Sequence, residues 1–207
     1  MIELKNIEVS YENKTIIKNF NMNIKKGEKL LVKGLSGSGK TTILKVILGF
    51  VKPDNGEIFY NQKRVTEKNI WEIRKNMCYV SQDVDFPKIE VLQIFKSTFN
   101  YKSNKDNILN LENLYLELEK YKLDKSILTK NVKMLSGGER ERIGIIISKL
   151  LNREIYLLDE INSSLDSELR KIVVDDFSNS KKTIIAISHN NLWEETGKFK
   201  IINLERR

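Results

Sequence analysis

The chain has 207 residues, 40% hydrophobic and 31% charged, and its 36 Lys and Arg outnumber its 28 Asp and Glu, giving a formal net charge of +8. This length can bury one large core with at most a small appended subdomain, and the apolar content excludes a disordered chain. No apolar run approaches the roughly 20 residues that cross a bilayer, and the first residues lack the order of a secretion signal. We expect a soluble globular protein of one principal domain.

Two kinds of partner attract dispersed Lys and Arg: nucleic acids and anionic membrane surfaces. In this chain the lysines are spread along the whole sequence without a long basic block, so we expect a solvated basic surface and no nucleic-acid partner. Its single cysteine, Cys78, lies in the apolar stretch MCYV, which predicts a buried thiol in a reducing compartment.

The apolar pattern predicts β structure at the start of the chain. Residues 1–11 and 14–24 are typical of two strands joined by a short turn, and residues 28–34 form an apolar strand that ends at a glycine-rich stretch. Helical spacing begins at Lys40 and stops at the turn residues KPDNG. The predicted order is therefore strand, glycine loop and helix.

Strands and helices alternate in the rest of the chain. Short strands are predicted at EIFY and MCYVSQ, helical segments from about residue 87 to 133, and a further helix after LSGG. EIYLLDE and KTIIAISH are typical of buried strands, with a helix between them at LDSELRKIVVDDF. This alternation predicts a largely parallel sheet covered on both faces, with the helical stretch as an inserted subdomain.

The glycine-rich stretch GLSGSGKT matches the pattern G-x-x-x-x-G-K-[ST] in full and lies between a predicted strand and a predicted helix. Its glycines allow backbone N–H groups and the helix N-terminus to face phosphate anions. Lys40 is expected to bridge the β- and γ-phosphates and the Thr41 hydroxyl to ligate Mg²⁺; the alternative is a turn that binds nothing. The expected nucleotide-binding residues here are Gly34, Ser36, Gly37, Ser38, Gly39, Lys40, Thr41 and Thr42.

Three polar residues follow the predicted strands of the second half. A phosphate loop needs a carboxylate at the end of another strand to hold magnesium, and Asp159 comes directly after a buried run. Glu160 projects differently and would polarise an attacking water, unless the acidic pair merely caps the strand. His189 ends a third strand, at the edge where ligands of open α/β sheets gather, and would contact the γ-phosphate or orient the water. A lone histidine is otherwise usually a surface or core residue.

Six motifs resemble, in order, those of the nucleotide-binding subunit of ATP-binding cassette (ABC) transporters, over nearly the whole chain. They are GLSGSGKTT (Walker A), YVSQD (the Q-loop, with Gln82), LSGGE (the signature), IYLLDE (Walker B), SSLD (the D-loop) and ISH (the H-loop). The resemblance implies an α/β P-loop NTPase of the ABC-cassette fold, with a mostly parallel sheet core, an antiparallel β subdomain and a short inserted helical subdomain. It implies one ABC ATPase domain over 1–207, with the core at 1–82 and 136–207 and the helical subdomain at 83–135.

In this family two cassettes meet head to tail, and each ATP lies between the P-loop of one and the signature of the other. The resemblance therefore implies ATP and Mg²⁺ as ligands and Mg²⁺-dependent hydrolysis. It assigns Glu160, His189, Lys40 and Gln82 to catalysis, and Thr41, Gln82 and Asp159 to the metal. It also implies nucleotide contacts for Tyr11, which would stack on adenine or could equally be an edge-strand tyrosine, and for Ser136, Gly137, Gly138 and Asp166.

Four positions depart from the commonest family pattern: Glu139, Glu141, Ile161 and Ser164. None of these departures removes a catalytic group. Glu139 would place a carboxylate near the neighbouring cassette's phosphates, so its side chain is predicted to point to ribose or to solvent.

Family members of this kind pass their motion to another protein. The expected partners are a second copy or a paralogous cassette and an integral membrane permease subunit, which would hold the chain in the cytoplasm, peripheral on the inner face of the cell membrane. Four apolar residues after Gln82 are predicted to form a groove for a short permease helix, unless they pack the core of the helical subdomain. They are Phe86, Ile89, Leu92 and Phe95.

The resemblance also suggests one more specific assignment and leaves one alternative. The stretches SILTKNVKMLSGGERERI and LLDEINSSLD are similar to small ATPases paired with a metal-exporting membrane subunit of the iron-export type. The alternative from another class is a soluble ABC ATPase that is not linked to transport, for example of the iron–sulfur cluster assembly type.

Overall fold

The computed structural model describes residues 1–12, 14–81, 84–104 and 107–204. The strands are β1 (Ile2–Tyr11), β2 (Lys14–Ile24), β3 (Lys29–Gly34), β4 (Asn55–Tyr60), β5 (Lys63–Arg64), β6 (Met77–Val80), β7 (Ile155–Asp159), β8 (Thr183–Ile187) and β9 (Lys200–Leu204). The α-helices are α1 (Lys40–Ile47), α2 (Ile70–Arg74), α3 (Val91–Asn100), α4 (Leu111–Lys120), α5 (Gly137–Leu151), α6 (Ser167–Asn179) and α7 (Leu192–Glu195). Short 3-10 helices lie at Lys102–Asn104, Lys125–Thr129 and Val132–Met134.

The strands form two sheets. An antiparallel sheet has the order β2-β1-β4-β5, and a five-stranded sheet has the order β6-β7-β8-β3-β9 with every neighbouring pair parallel. The predicted α/β fold, with a parallel sheet and an antiparallel β subdomain, is therefore confirmed. Strand β3 therefore lies beside β8, and β8 lies beside β7, although β3 is far from both in the sequence.

Alternation along the central strands separates the core into two layers. Leu31, Tyr156 and Leu158 face one apolar cluster, while Leu30 and Val32 face the other. Successive side chains of a strand point to opposite faces, and a strand buried on both faces has apolar residues at almost every position. This is why IYLLD and TIIAI, which are buried throughout, belong to the interior of the parallel sheet.

The helical segment after β6 shares its core with the parallel sheet. Phe95 and residues of α4 pack in the same apolar cluster as α5, α6 and one face of β7. Phe95 is fully buried, and Phe86 and Leu92 are partly buried against this cluster, whereas Ile89 is exposed. Of the two alternatives for these four residues, Phe95 takes the second, because its ring packs the core of the helical segment and does not line a groove.

Four elements were not predicted from the sequence: β5, α2, α7 and β9. Of these, β9 bears on the site, because it pairs with β3 and places Leu204 opposite Gly34. Among the described ranges, no helix combines the length and apolarity that crossing a bilayer demands.

Candidate nucleotide site

The residues predicted to bind nucleotide lie along one edge of the parallel sheet. Strands β7, β8 and β3 are consecutive in the sheet, and their carboxyl ends lead into Asp159, Ser188 and the glycine loop after Gly34. Ligands of open α/β sheets bind outside the carboxyl ends of strands. The sequence places these motifs up to 154 residues apart, from Gly34 to Ser188, and the parallel register places them at one edge.

The backbone of the glycine loop leaves no room for side chains at two positions. A Cβ atom at Gly34 would lie 2.6 Å from the carbonyl oxygen of Leu204 and 2.7 Å from Ser38 Oγ. A Cβ at Gly39, where φ is 93°, would lie 2.9 Å from Ile16 Cγ2. Glycine is the residue that tolerates both the close approach and the left-handed backbone. The loop is consequently fixed in shape by β2 and β9 as well as by its own sequence.

Lys40 points into the loop that precedes it. Its side chain is buried, and Nζ donates hydrogen bonds of 2.9 Å to the carbonyl oxygens of Gly34 and Leu35. Ser38 Oγ is also buried and has no hydrogen-bond partner within the described part of the chain. Helix α1 begins here with Gly39 at its N-cap, which has no side chain to cap the first N–H groups. These donors and the helix N-terminus fit a phosphate chain.

The other loop residues differ in exposure. Ser36 and Gly37 are exposed, and Gly37 has a φ of 75° with no atom of the described chain near a Cβ built there. Thr42 lies half-buried in the first turn of α1.

Asp159 is held by hydroxyl groups from two directions. Thr41 Oγ1 donates to Asp159 Oδ1 at 3.1 Å, and the Tyr79 hydroxyl donates to Asp159 Oδ2 at 3.0 Å. Burial, with the Asp159 charge as a second cause, raises the pKa of Tyr79, so the phenol stays protonated as a donor. Tyr79 was not predicted from the sequence. The available signal was its position three residues before Gln82, in the strand that pairs with β7.

These oxygens fit a magnesium ion that also contacts nucleotide. Mg²⁺ in such sites takes one or two protein oxygens and completes its shell with phosphate oxygens and waters. Thr41 and Asp159 supply those oxygens, and the residues of the four described ranges contain no cluster of three or more His, Cys, Asp or Glu side chains. Gln82, the third predicted metal ligand and a predicted catalytic residue, lies outside the described residues.

Glu160 and His189 face each other at the same edge. Glu160 Oε1 lies 3.2 Å from His189 Nε2, and both line a cavity of about 460 Å³ with Asn162, Ser188 and Arg170. Glu160 has a φ of 53°, unusual for a residue other than glycine, and its N–H donates to the carbonyl oxygen of Ile187. This backbone conformation turns the Glu160 side chain away from that of Asp159 and toward β8 and His189.

The signature begins helix α5 with a reciprocal capping arrangement. Ser136 Oγ accepts from Glu139 N at 3.2 Å, and Glu139 Oε2 accepts from Ser136 N at 2.7 Å. The Glu139 carboxylate is held at the start of its own helix by the Ser136 N–H, and the prediction that it points to ribose or solvent in the dimer stays a prediction. That hydrogen bond lowers the pKa of Glu139.

The two signature glycines have different surroundings. Gly137 is exposed, and a Cβ built on it meets no atom of the described chain within 4 Å. A Cβ at Gly138 would lie 3.2 Å from the carbonyl oxygen of Ser164. The helix start is thus open on the Gly137 side and packed against the D-loop on the Gly138 side.

The two remaining predicted nucleotide residues lie at element boundaries. Tyr11 ends β1 and is exposed. Asp166 is the N-cap of α6, and its Oδ1 accepts from Leu169 N at 2.9 Å. The Asp166 carboxylate therefore already has a helix-capping role in this chain, and its predicted contact with nucleotide stays a prediction.

The fold and the residues at this edge of the parallel sheet define the chain as a P-loop nucleotide-binding protein. A second helix, α5, also begins at glycine residues. A family model described as ABC transporter matches residues 17–163. This chain belongs to the ABC transporter ATP-binding family.

Two of the relatives found by sequence are named as transport proteins. The ergothioneine transport ATP-binding protein EgtV of Helicobacter pylori is 34% identical over 211 residues, covering 99% of this chain and 96% of its own length. The spermidine/putrescine import ATP-binding protein PotA of Mycoplasma mycoides is 31% identical over 198 residues, covering 92% of this chain. The chain spans about half of that protein, 54%. These names favour transport over the iron–sulfur cluster assembly alternative, whereas the metal-export subtype stays a prediction.

Solved structures give the same assignment. The dimeric post-hydrolysis structure of the ATP-binding cassette MJ0796 with ADP and Pi matches with a TM-score of 0.84 at 25% identity, covering 99% of this chain and 96% of that one. CbiO1 from Clostridium perfringens, part of the ABC transporter complex cbiONQ, matches with a TM-score of 0.72 at 26% identity, over 91% and 78%. The chain is an ATP-binding, Mg²⁺-dependent ATP-hydrolysing subunit of an ABC transporter.

Proposed function

We propose that this chain pairs head to tail with a second copy or a paralogous cassette, encloses two ATP molecules, and drives a separate integral membrane permease. The observation that carries the proposal is the open start of α5. Gly137 is exposed with free space where a side chain would be, and Ser136 beside it is also exposed. A helix N-terminus attracts anions, so this surface suits a phosphate presented by another molecule.

The residues of the sheet edge would divide the chemistry among them. Lys40 would exchange its bonds to the loop carbonyls for phosphate oxygens, while Thr41 and Asp159 would hold Mg²⁺. The ion would neutralise charge on the phosphate oxygens when bound. Glu160 would polarise the attacking water, and His189, 3.2 Å away, would keep that carboxylate in place or contact the γ-phosphate.

The Glu160→Gln variant tests the proposed dimer. The amide keeps the shape of the side chain but accepts a proton poorly, so we expect ATP and Mg²⁺ to be bound and hydrolysis to be lost. Light scattering should then show a doubled molar mass with ATP, and a monomer with ADP. A Lys40→Met, Glu160→Gln double variant is the control and should remain monomeric. A Glu160→Gln protein that stays monomeric at saturating ATP, both alone and with its co-expressed paralogous cassette, would overturn the dimer.

The proposed permease contact includes exposed aromatic residues. Phe50 and Trp71 are 61% and 68% exposed, and the Arg74 guanidinium lies over both rings at 4.5 and 4.7 Å. Arg74 also donates to the carbonyl oxygens of Leu48 and Gly49, which fixes it between the rings. Aromatic residues and arginine dominate the energetics of protein interfaces.

This arrangement would hold the chain at the cytoplasmic face of the membrane. Purification from membranes with a tagged chain should recover an integral membrane subunit at a stoichiometric level. Recovery of nonmembrane partners alone would count against the permease.

A further inference from the structure

Glu141 is a carboxylate in an unusual position within the signature helix. Its residue is only 2% exposed, and it is the one charged residue among the buried positions of α5. Burying a carboxylate is unfavourable unless hydrogen bonds replace its water. The signature motif itself, which ends two residues earlier, gives no reason for a buried charge here.

The hydrogen bond of Glu141 goes to the D-loop. Oε2 accepts from the backbone N–H of Ser164 at 3.3 Å, and Oε1 has no hydrogen-bond partner among the residues that the structure describes. Gly138, one helical turn earlier on the same face, contacts the same point, because its Cβ position lies 3.2 Å from the Ser164 carbonyl oxygen. The signature helix therefore lies against both backbone polar groups of Ser164, the N–H at Glu141 and the carbonyl oxygen beside Gly138.

The D-loop is held from the other side by Arg170. Its Nε and Nη2 donate to the carbonyl oxygens of Asn162 and Ser163 at 3.1 and 3.2 Å. The loop runs from Glu160 to the start of α6, so its backbone is fixed between α5 and α6. A displacement of the start of α5 would reach Glu160 through only four residues of backbone.

Charged groups surround Glu141 on several elements. Arg170 on α6 and Arg142 on α5 interact with it electrostatically, and a cavity of about 370 Å³ beside it is also lined by Asp85, Lys88, Lys133 and Arg140. Burial raises the pKa of Glu141 to about 7, against the opposing effects of Ser164 and Arg170.

We propose that Glu141 is a positioning residue that couples the two nucleotide sites of the dimer, by joining the signature helix to the D-loop of the same chain. This inference rests on the proposed function. The start of α5 would contact the neighbour's nucleotide, whereas Glu160 acts on the nucleotide of its own chain. Through Glu141 and Ser164, occupancy of the neighbour's site sets the position of Glu160.

The test compares three full-length variants in steady-state ATP hydrolysis. Glu141→Met keeps the length and removes the acceptor for Ser164 N–H, and Glu141→Gln restores an acceptor oxygen. Glu117→Met is the matched control, because Glu117 is a partly buried glutamate of α4 with one unpaired buried oxygen and no contact with the D-loop among the described residues. Each rate is measured against ATP concentration, and nucleotide affinity is measured separately at protein concentrations that keep the chain monomeric.

We expect Glu141→Met to lower kcat by about 3- to 30-fold, the range of energetic coupling between linked sites, and to bring the Hill coefficient to about 1. Monomer affinity should not change, because the phosphate loop is untouched. Glu141→Gln should recover most of both losses, and Glu117→Met should lose neither. If Glu141→Met fails to fold, Glu141→Leu replaces it with the same expectations.

Three results would overturn the inference: unchanged kcat and Hill coefficient in Glu141→Met, equal losses in Glu117→Met, or no recovery in Glu141→Gln. The Glu160→Gln dimer separates this failure from failure of the proposed function. If that variant dimerises with ATP while Glu141→Met behaves like the control, only the role of Glu141 is wrong. If it stays monomeric, the dimer and the coupling both fail.

Discussion

The hydroxyl of Tyr79 donates a hydrogen bond of 3.0 Å to the carboxylate of Asp159, across the pairing of β6 with β7. This hydrogen bond orients the carboxylate so that its other oxygen, Oδ1, lies toward Thr41 and the predicted metal. Groups that orient a ligand in this way tune its metal affinity although they do not contact the ion.

Tyr79→Phe should raise the Mg²⁺ concentration needed for half-maximal ATP hydrolysis by up to about 10-fold. At saturating Mg²⁺ the rate should approach that of the unchanged protein, because Thr41 and Asp159 are still present. The measurement is a Mg²⁺ titration of hydrolysis at saturating ATP, with Tyr60→Phe in β4 as the control. An unchanged Mg²⁺ requirement would show that Tyr79 does not orient Asp159.

Glu139→Ala should lower the free energy of unfolding by about 0.3–1 kcal/mol at pH 7, the usual contribution of a surface carboxylate at a helix N-terminus. The hydrogen bond from Ser136 N lowers the pKa of Glu139, so this stabilisation is complete above the pKa of the unfolded chain. It should be lost as pH falls through the lower pKa of the folded state. Denaturant unfolding of both proteins between pH 7 and pH 3 checks this, and a difference that grows in acid would contradict it.

Glu141→Gln should change the pH dependence of stability in the sense opposite to that of Glu139→Ala. Burial raises the pKa of Glu141 from 4.5 to about 7, so across this window the folded carboxyl keeps a proton that the unfolded chain releases. Stability of the unchanged protein therefore falls as pH rises from about 4.5 to 7, an effect that the neutral amide removes. Thermal unfolding at pH 5, 6, 7 and 8 should show the Tm of Glu141→Gln rising relative to that of the unchanged protein as the pH increases. A constant difference would refute the raised pKa.

Phe50→Ala with Trp71→Ala should weaken association with the permease while leaving basal ATP hydrolysis intact. The two rings lie on an exposed surface around Arg74, and truncating such aromatic anchors at an interface typically costs about 1–4 kcal/mol each. Ile108→Ala with Leu116→Ala, two exposed apolar residues of the helical segment, is the control. Co-purification from membranes measures the effect, and equal recovery of the permease with both double variants would exclude this surface.

The sequence by itself determined the P-loop class and the family, because those depend on local chemistry. A glycine loop between an apolar strand and a helix, and a carboxylate pair after a buried run, carry their meaning within about ten residues. The central strands were predictable for the same reason, since IYLLD and TIIAI are apolar at nearly every position. By contrast, β9 was not predicted, because residues 200–204 (KIINL) lack the run of buried apolar side chains that marks the central strands. This segment is a strand only because it pairs with β3.

Only the tertiary structure decided what each polar side chain contacts. Tyr79 and Asp159 are 80 residues apart, and Glu141 and Ser164 are 23 apart, so no local pattern could pair them. The sequence also could not show that the Glu139 carboxylate accepts a hydrogen bond from the Ser136 N–H at the start of its own helix. Sequence specifies which groups are available, whereas parallel pairing and helix packing specify which of them meet, because hydrogen bonds act only over about 3 Å.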